Sequence, residues 1–462
     1  MKEKAETGTG RQSRDLWTLA AVALVFRVFI AWFYPPLIVQ DTASYIDLAD
    51  RIASLNFDGY QAFRTPVFPL LLLLCGKDPA LTAAAHQLLG ILESVLLYGI
   101  FIRVFHSRTA GLLAGYCYAL NPSQGVMERT LLTEPVTTVL VTAALYFLLK
   151  GLDSRDWRTL FLSGAASGLA VLARPAFLFL PVLYIVFAGV ILFRQERLRM
   201  GLKRIIVLSA PVLATVGGWV LFNYIQTGYA GVSSLSGYSL ISHTGAWIEK
   251  APPGYETIRD IYLRHRTANL SRTGRQENTV YLARKELMAA TGMDEMHLSQ
   301  RLQELSIHLI IRDPIAHAKS ASRSLADFWR PVWYTVEGGI RAVLKGRFNL
   351  SKVMIVAYLP LYMVLNILFL LFPLALPLKD KYPVIRQFLD GGWRMVLVYL
   401  TVWGAAVFQA VVARGDNGRY SMPVEPLVMA VGAYLIWQAA VHVSRRGPDR
   451  LDLRDAHQSN QY

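Results

Sequence analysis

A single carboxylate, Asp41, follows directly after a long apolar stretch near the start of the chain. At the edge of such a stretch a carboxylate is partly desolvated, and it can accept a proton from a hydroxyl group held against it. Tyr45 comes one helical turn later and would share a helix face with Asp41. Alternatively, Asp41 only caps an interfacial helix, because Asp is a preferred N-cap residue. The local sequence leaves both interpretations open.

Two arginines occur singly in other polar segments between apolar stretches. Arg64 lies in a Phe-Arg-Thr-Pro-Val-Phe-Pro segment without an obvious acidic neighbour, and Arg174 is the only charge between two apolar stretches. A planar guanidinium group suits a phosphate, and a charge isolated among apolar residues needs a counterion. For Arg64 the alternative is an interfacial anchor that reaches the lipid headgroups.

Further ionisable residues stand where apolar stretches begin. Glu134 opens one of them in Thr-Glu-Pro, and Arg414, Arg419 and Tyr420 precede the last one. An ionisable residue at the top of a membrane span indicates function, although an acid in the first turn also fits the helix dipole. Acids and cations gathered at a membrane surface suit a phosphate-bearing lipid substrate and a hydroxyl or amine acceptor.

Long apolar blocks must position these residues. The chain has 462 residues, of which 54% are hydrophobic and 17% are charged, whereas soluble domains carry about 25% charged residues. Blocks of about 18 or more apolar residues predict membrane spans, and these must be helical because lipid offers the backbone no hydrogen bonds. The block Leu70–Cys75 is too short and predicts an interfacial or re-entrant piece. We predict roughly ten spans, at about 16–35, 82–105, 109–122, 133–150, 158–173, 175–193, 204–225, 352–378, 394–412 and 423–443.

The net charge of +15 is explained by topology and lipid contact, because most Lys and Arg stand at the ends of apolar blocks. We therefore expect no nucleic-acid partner. The loops richest in Lys and Arg are cytoplasmic by the positive-inside rule. This predicts an inner-membrane protein with both termini in the cytoplasm and with Asp41 outside. The two cysteines, Cys75 and Cys117, lie in or beside apolar blocks and indicate no disulfide framework.

One long segment is mostly polar and contains helical stretches, one of which should end at Asp313-Pro314 because proline disfavours helix in the preceding residue. We expect it to form an extracytoplasmic, mostly helical subdomain. The predicted divisions are an N-terminal transmembrane module at 1–225, the subdomain at 226–348, C-terminal transmembrane helices at 349–445 and a cytoplasmic tail at 446–462.

The order of the polar motifs resembles that of a known family. Asp-x-x-x-Tyr at Asp41 is followed by Arg-x-Pro-x-Phe-Pro at Arg64. Thr-Glu-Pro then contains Glu134, Ala-Arg-Pro contains Arg174, and Arg-Tyr-x-x-Pro-x-x-Pro begins at Arg419. Over most of its length the chain resembles the GT-C glycosyltransferases of the dolichyl-phosphate-mannose protein mannosyltransferase and aminoarabinose transferase type.

The resemblance implies an all-α polytopic membrane fold and an inverting sugar transfer. The donor would be a polyprenyl-phosphate sugar, and the acceptor a glycolipid, glycan or protein at the outer face of the membrane. By motif match Asp41 would be the general base, and Arg64, Arg174 and Arg419 would bind the donor phosphate. A phosphate leaving as an anion needs cations that are already in place.

The same resemblance implies that Glu134 orients the donor sugar or the acceptor, that Tyr45 supports the first loop and that Tyr420 binds substrate. Many relatives carry two adjacent acids at the first motif, whereas Gln40 and Thr42 flank the single acid here. The sequence therefore leaves the involvement of a divalent metal unknown. His243, at the start of the subdomain, could face the site, but we interpret it as an ordinary surface residue.

The main alternative function is a transporter or flippase for a lipid-linked or small polar substrate. Transporters place ionisable groups near the bilayer midplane, usually on repeated halves. Here the sequence shows no repeat, and Arg27 and Glu93 are the exceptions to nearly uncharged spans. A structural membrane protein would account for the topology but not for the ordered motifs. The distribution of charge favours an enzyme that acts at the membrane surface.

Overall fold

The computed structural model describes residues 2–330, 358–374, 391–415 and 417–446. Within these ranges the regular secondary structure is helical, and the only β-type contact there is one isolated bridge between Leu37 and Thr130. The predicted all-α class is confirmed. The helices are α1 (Lys2–Phe33), α2 (Thr42–Ser54), α3 (Val67–Leu74), α4 (Pro79–Phe105), α5 (Arg108–Ala119), α6 (Pro122–Met127), α7 (Glu134–Ser154), α8 (Trp157–Ala173), α9 (Phe179–Gln195), α10 (Leu198–Val212), α11 (Gly218–Thr227), α12 (Ser236–Thr244), α13 (Glu256–Thr273), α14 (Thr279–Thr291), α15 (Glu295–Arg312), α16 (Pro314–Phe328), α17 (Leu359–Leu371), α18 (Gly392–Val412), α19 (Asn417–Ser421) and α20 (Glu425–Arg446).

Seven helical segments of the described chain are long and apolar enough to cross a membrane, which establishes a polytopic membrane protein. They are Gly10–Phe33, Pro79–Phe105, Glu134–Ser154, Pro175–Gln195, Leu198–Thr227, Gly392–Val412 and Glu425–Ser444. The predicted spans at 109–122, 158–173 and 352–378 correspond to the shorter helices α5, α8 and α17, and part of the last range lies outside the described residues. The predicted number of about ten spans is therefore not confirmed.

Close helix packing depends on small residues at the contacts, as is usual in membrane bundles. Gly164 of α8 lies directly against the backbone carbonyl of Leu208 and the ring of Pro211 in α10, where a Cβ would collide. A buried core of side chains from α4, α5, α7, α8, α9, α18 and α20 runs through the bundle. This rigid core holds the helix ends that carry the predicted site.

The two charged residues predicted inside spans have partners within the protein. Arg27 of α1 forms a salt bridge with Glu128, at 2.7 Å between Nη2 and Oε1, and both side chains are almost fully buried. Tyr118 donates a hydrogen bond to the same carboxylate at 3.1 Å. Glu93 accepts a hydrogen bond from Thr142 at 2.7 Å. These polar contacts therefore join α1 to α5 and α4 to α7 inside the bundle.

The polar segment forms a helical layer with its own core, built from the apolar faces of α12 to α15. The span before it ends at Thr227, where Gly228 adopts the left-handed conformation that commonly terminates helices. Asp313 separates α15 from α16, and its carboxylate caps the second helix by accepting from the amide of Ala316 at 3.0 Å. The break predicted at Asp313-Pro314 is confirmed, and the part of 226–348 after residue 330 lies outside the described residues.

The helical layer is tied to the loop between α2 and α3. The amide of Ser234 donates to the carbonyl of Ala62 at 2.8 Å, and the hydroxyl of Ser233 donates to the carbonyl of Phe63 at 2.7 Å. On the other side, Gln61 accepts a hydrogen bond from the amide of Met296 at 3.0 Å. These contacts fix the backbone immediately before Arg64.

Candidate active site

Asp41 lies at the N-terminus of α2, but its carboxylate makes no capping hydrogen bond. One oxygen, Oδ1, instead accepts from Nη2 of Arg64 at 3.0 Å. The other, Oδ2, accepts from Nη1 of Arg419 at 3.1 Å. The geometry therefore does not support the alternative in which Asp41 only caps a helix, because both oxygens face guanidinium groups.

Glu134 extends this network into the bundle. Its Oε1 contacts Nη1 of Arg174 at 2.9 Å and also accepts from Nε of Arg419. The Glu134 side chain is completely buried, and Arg174 is 8% exposed. Arg419 thus connects the two carboxylates, and the three guanidiniums leave an excess of positive charge. Such an excess attracts an anion.

Aromatic rings pack on two of these arginines. The guanidinium carbon of Arg64 lies 4.4 Å from the centre of the Tyr45 ring, and that of Arg174 lies 4.5 Å from the centre of the Tyr420 ring. Arg64 also donates from Nη1 to the Tyr45 hydroxyl at 3.1 Å and from Nε to Ser44 at 2.8 Å. Every nitrogen of Arg64 therefore has a fixed partner, and the guanidinium group is pre-oriented.

The seven residues predicted from the sequence thus come together in one cluster, although they belong to five separate stretches of the chain. They are Asp41, Tyr45, Arg64, Glu134, Arg174, Arg419 and Tyr420. We call this set the arginine–carboxylate cluster. Its members lie at the start of α2, shortly before α3, at the start of α7, directly after α8 and in α19. The fold brings these helix ends to one side of the bundle.

The charges of the cluster control the protonation of Asp41. Partial burial alone would raise the pKa of Asp41, but Arg64 and Arg419 outweigh that effect and the pKa is lowered. Burial likewise opposes the charge on Arg419, yet Glu134 and Asp41 raise its pKa well above the ordinary value. At neutral pH Asp41 is therefore a carboxylate, and Arg419 stays cationic.

The short helix that carries Arg419 is held down by polar residues that the sequence motifs did not reveal. Gln124 donates from its side chain to the carbonyl of Met422 at 3.0 Å. The carboxylate of Glu425, at the start of α20, accepts from Asn121 at 2.9 Å and from the hydroxyl of Tyr358 at 2.7 Å. Asn121 also caps α6. The last loop is therefore docked onto the loop between α5 and α7.

Arg414 does not join the cluster, although it stands five positions before Arg419. Its Nε lies 3.1 Å from Oε1 of Glu277, and its backbone amide donates to the hydroxyl of Ser242 at 2.8 Å. Both partners belong to the helical layer. Arg414 therefore ties that layer to the last loop.

His243 is completely buried, so its interpretation as a surface residue was wrong. Its Nδ1 lies 2.8 Å from the hydroxyl of Ser320, and its ring centre lies 5.2 Å from that of His317. Burial, with a smaller contribution from His317, lowers the pKa of His243 to about 3. The side chain is neutral at the joint between α12 and α16.

The helical layer contributes one residue beside the cluster that sequence reasoning missed. Tyr281 of α14 interacts electrostatically with Tyr420, Arg64 and Asp41. Its ring stacks on Tyr238, with 5.7 Å between ring centres and 17° between planes. Tyr281 itself is 54% exposed. No motif marks a lone tyrosine on a polar helix, and so nothing in the sequence distinguished it.

A metal has no evident ligand set in the part of the chain that the structure describes. No group of three or more His, Cys, Asp or Glu side chains there could hold an ion. In the cluster, both carboxylate oxygens of Asp41 and Oε1 of Glu134 face guanidiniums instead. We derive no chemical step through a metal at these residues.

The match to a protein-family model covers a third of the chain. Residues 67–222 match the family described as dolichyl-phosphate-mannose-protein mannosyltransferase. This range includes Glu134 and Arg174 and most of the transmembrane core. The match confirms the predicted resemblance and indicates a glycosyltransferase. No curated protein matches the chain by sequence.

Two solved membrane enzymes are remotely similar in structure. The oligosaccharyltransferase of Archaeoglobus fulgidus, in its apo form, has 13% identity and a TM-score of 0.45, with 95% of this chain and 52% of that chain covered. This chain therefore spans about half the length of that enzyme. ArnT from Cupriavidus metallidurans, bound to undecaprenyl phosphate, has 16% identity and a TM-score of 0.33, with 91% of this chain and 77% of that chain covered.

Proposed function

We propose that this protein is an inverting glycosyltransferase that moves a sugar from a polyprenyl-phosphate donor to an acceptor at the outer face of the membrane. The observation that carries the proposal is the placement of Asp41 between Arg64 and Arg419. A candidate base, Asp41, and two candidate phosphate-binding cations, Arg64 and Arg419, are then in direct contact, so one bound donor could reach all three. The family match supports lipid-linked sugar chemistry, since its members are described by a dolichyl-phosphate sugar donor.

The arginines would bind and stabilise the donor phosphate. Arg64 and Arg419 are partly exposed, whereas Arg174 is buried against Glu134. The first two would therefore contact the phosphate directly. Fixed cations stabilise a leaving phosphate without reorganising during the reaction. In this arrangement Glu134 is a positioning residue that holds Arg174 and Arg419.

Asp41 would act as the general base. The acceptor oxygen attacks the anomeric carbon, the bond from that carbon to the phosphate oxygen breaks, and the acceptor proton passes to Asp41. Polyprenyl phosphate leaves with the bonding electrons, and a single displacement inverts the anomeric centre. A donor phosphate would compete with Asp41 for Arg64 and Arg419. Binding of the donor would thereby raise the pKa of Asp41 and make it a stronger base.

The decisive experiment is Asp41→Asn in the purified protein reconstituted into liposomes. Sugar transfer from a panel of undecaprenyl-phosphate sugars to envelope acceptors should fall about 100-fold or more, as expected for loss of a general base. Binding of undecaprenyl phosphate should remain. Asp47→Asn is the matched control, because Asp47 lies on the same helix and pairs with Arg51 at the surface. Full activity in Asp41→Asn would refute the base assignment.

A further inference from the structure

We propose that Tyr281 of the helical layer is the residue on which the donor sugar ring stacks. This inference rests on the proposed function, because it requires a lipid-phosphate sugar at the arginine–carboxylate cluster. It assigns part of the sugar recognition to α14, outside the membrane-embedded motifs. The argument uses the position of Tyr281, the support of its ring and the contacts that hold its helix.

Two sets of contacts fix the helical layer, which includes α14, to the loops of the cluster. Four positions before Tyr281, Glu277 forms the salt bridge with Arg414 of the last loop, at 3.1 Å. On the opposite side, the amide of Met296 and the Ser233-Ser234 segment hold the backbone that precedes Arg64. The layer is thus anchored to both loops that supply arginines to the cluster. Tyr281 interacts electrostatically with a residue of each loop, Arg64 and Tyr420.

The ring of Tyr281 is a supported and accessible surface. One face stacks on Tyr238, which is 1% exposed and belongs to α12. Over half of the Tyr281 side chain stays accessible. A tyrosine held in this way offers a rigid apolar face with little loss of side-chain freedom on binding. A sugar ring presents C–H groups on its face, which suit such a surface.

The phenol of Tyr281 belongs to the electrostatic surroundings of the cluster. Its hydroxyl lies within electrostatic range of Asp41, Arg64 and Tyr420. Desolvation by the neighbouring groups raises the pKa of Tyr281 to about 12; Tyr420 and Asp41 add to this effect, and Arg64 opposes it. The phenol therefore stays protonated and can donate a hydrogen bond to a sugar oxygen.

The order of groups in the donor agrees with this placement. A phosphate bound by Arg64 and Arg419 leaves the lipid tail on the membrane side. The sugar then extends away from the bundle, toward the helical layer that carries Tyr281. A ring stacked there would keep its anomeric carbon beside Asp41.

The test compares two lipids that differ only by the sugar. Binding of undecaprenyl phosphate and of a panel of undecaprenyl-phosphate sugars is measured on full-length protein in nanodiscs. With Tyr281→Ala, the Kd of the preferred sugar-bearing lipid should rise about tenfold, the size expected for losing an aromatic contact. The Kd of sugar-free undecaprenyl phosphate should not change. Tyr281→Phe keeps the ring, and we expect it to lose at most about fivefold.

Tyr255→Ala is the matched control, because Tyr255 belongs to the same layer and stacks under Arg301 away from the cluster. Equal loss, or no loss, for both lipids in Tyr281→Ala would overturn the proposal. An effect confined to the KM of the acceptor would also overturn it, by assigning Tyr281 to the acceptor. If the unaltered protein binds neither lipid, the proposed function itself fails, and this outcome is distinct from the others.

Discussion

The pairing of Asp41 with two guanidiniums has a measurable consequence for the pH dependence of the reaction. The active form of a base is the unprotonated one, and the pKa of Asp41 is lowered. The acid limb of kcat/KM, which reports groups of the free enzyme, should therefore lie below the ordinary aspartate pKa of about 3.9. From neutral pH down to that point kcat/KM should stay flat.

Replacing Arg64 by Gln should move this acid limb to higher pH, because one of the two charges that favour the carboxylate is lost. We expect a shift of about one pH unit, the size typical of losing a neighbouring charge. The measurement is kcat/KM for sugar transfer across a pH series. Arg51→Gln is the control, since Arg51 pairs with Asp47 on the exposed side of the same helix. An unmoved limb in Arg64→Gln would mean that another group titrates.

Local motifs predicted the members of the cluster but could not predict their pairing. Asp41 and Arg64 are close in sequence, whereas the contact between Asp41 and Arg419 spans 378 positions. The motif match selected Arg419 and not Arg414, but it did not reveal that Arg414 pairs with Glu277 of the helical layer. Tyr281 and His243 were missed or misread because their environments are created by tertiary contacts between the helical layer and the last loop.

The packing of α4 on its neighbours permits a test of the buried ion pair. A Cβ added at Gly90 would overlap the Glu128 carboxylate and the Arg27 guanidinium. Gly90→Ala should therefore separate this pair and destabilise the protein by about 1–3 kcal/mol, as overpacking does. The measurement is the midpoint of thermal unfolding in detergent.

A second glycine serves as the control for that substitution. Gly218 is also helical and has open space where a Cβ would be placed. Gly218→Ala should leave the midpoint unchanged or raise it slightly, because alanine restricts the unfolded chain. Equal midpoints for the two variants would show that the Arg27–Glu128 pair beside Gly90 can be displaced without loss of stability. The pair would then not stabilise the packing of the helices.

Apolar blocks predicted where the long helices lie, and the structure agrees within a few residues at α4, α7 and α18. Their number was harder to predict, because hydropathy reports burial as well as lipid contact. The helices α5 and α8 are apolar but short, and much of their surface packs against other helices. The break at Asp313-Pro314 was predictable because proline acts on its local backbone.

The orientation of the whole molecule in the membrane remains a prediction from its Lys and Arg distribution, and it can be tested by labelling. Ser271→Cys and Ser154→Cys, each in a chain with Cys75 and Cys117 replaced by Ser, place one thiol in the helical layer and one at the end of α7. A membrane-impermeant maleimide should label the first in intact cells. It should label the second only after permeabilisation. The reverse pattern would place the arginine–carboxylate cluster in the cytoplasm.

The distance along the chain between Asp41 and Arg419 also bears on biosynthesis. The ribosome synthesises Asp41 early in translation, and its partner Arg64 follows only 23 positions later. Arg419 emerges 285 positions after Glu134. Until then the buried Glu134 lacks one of its two cations. A nascent or shortened chain without the last loop would therefore carry an incomplete charge network, and catalytic competence would arise only when insertion of the chain is nearly finished.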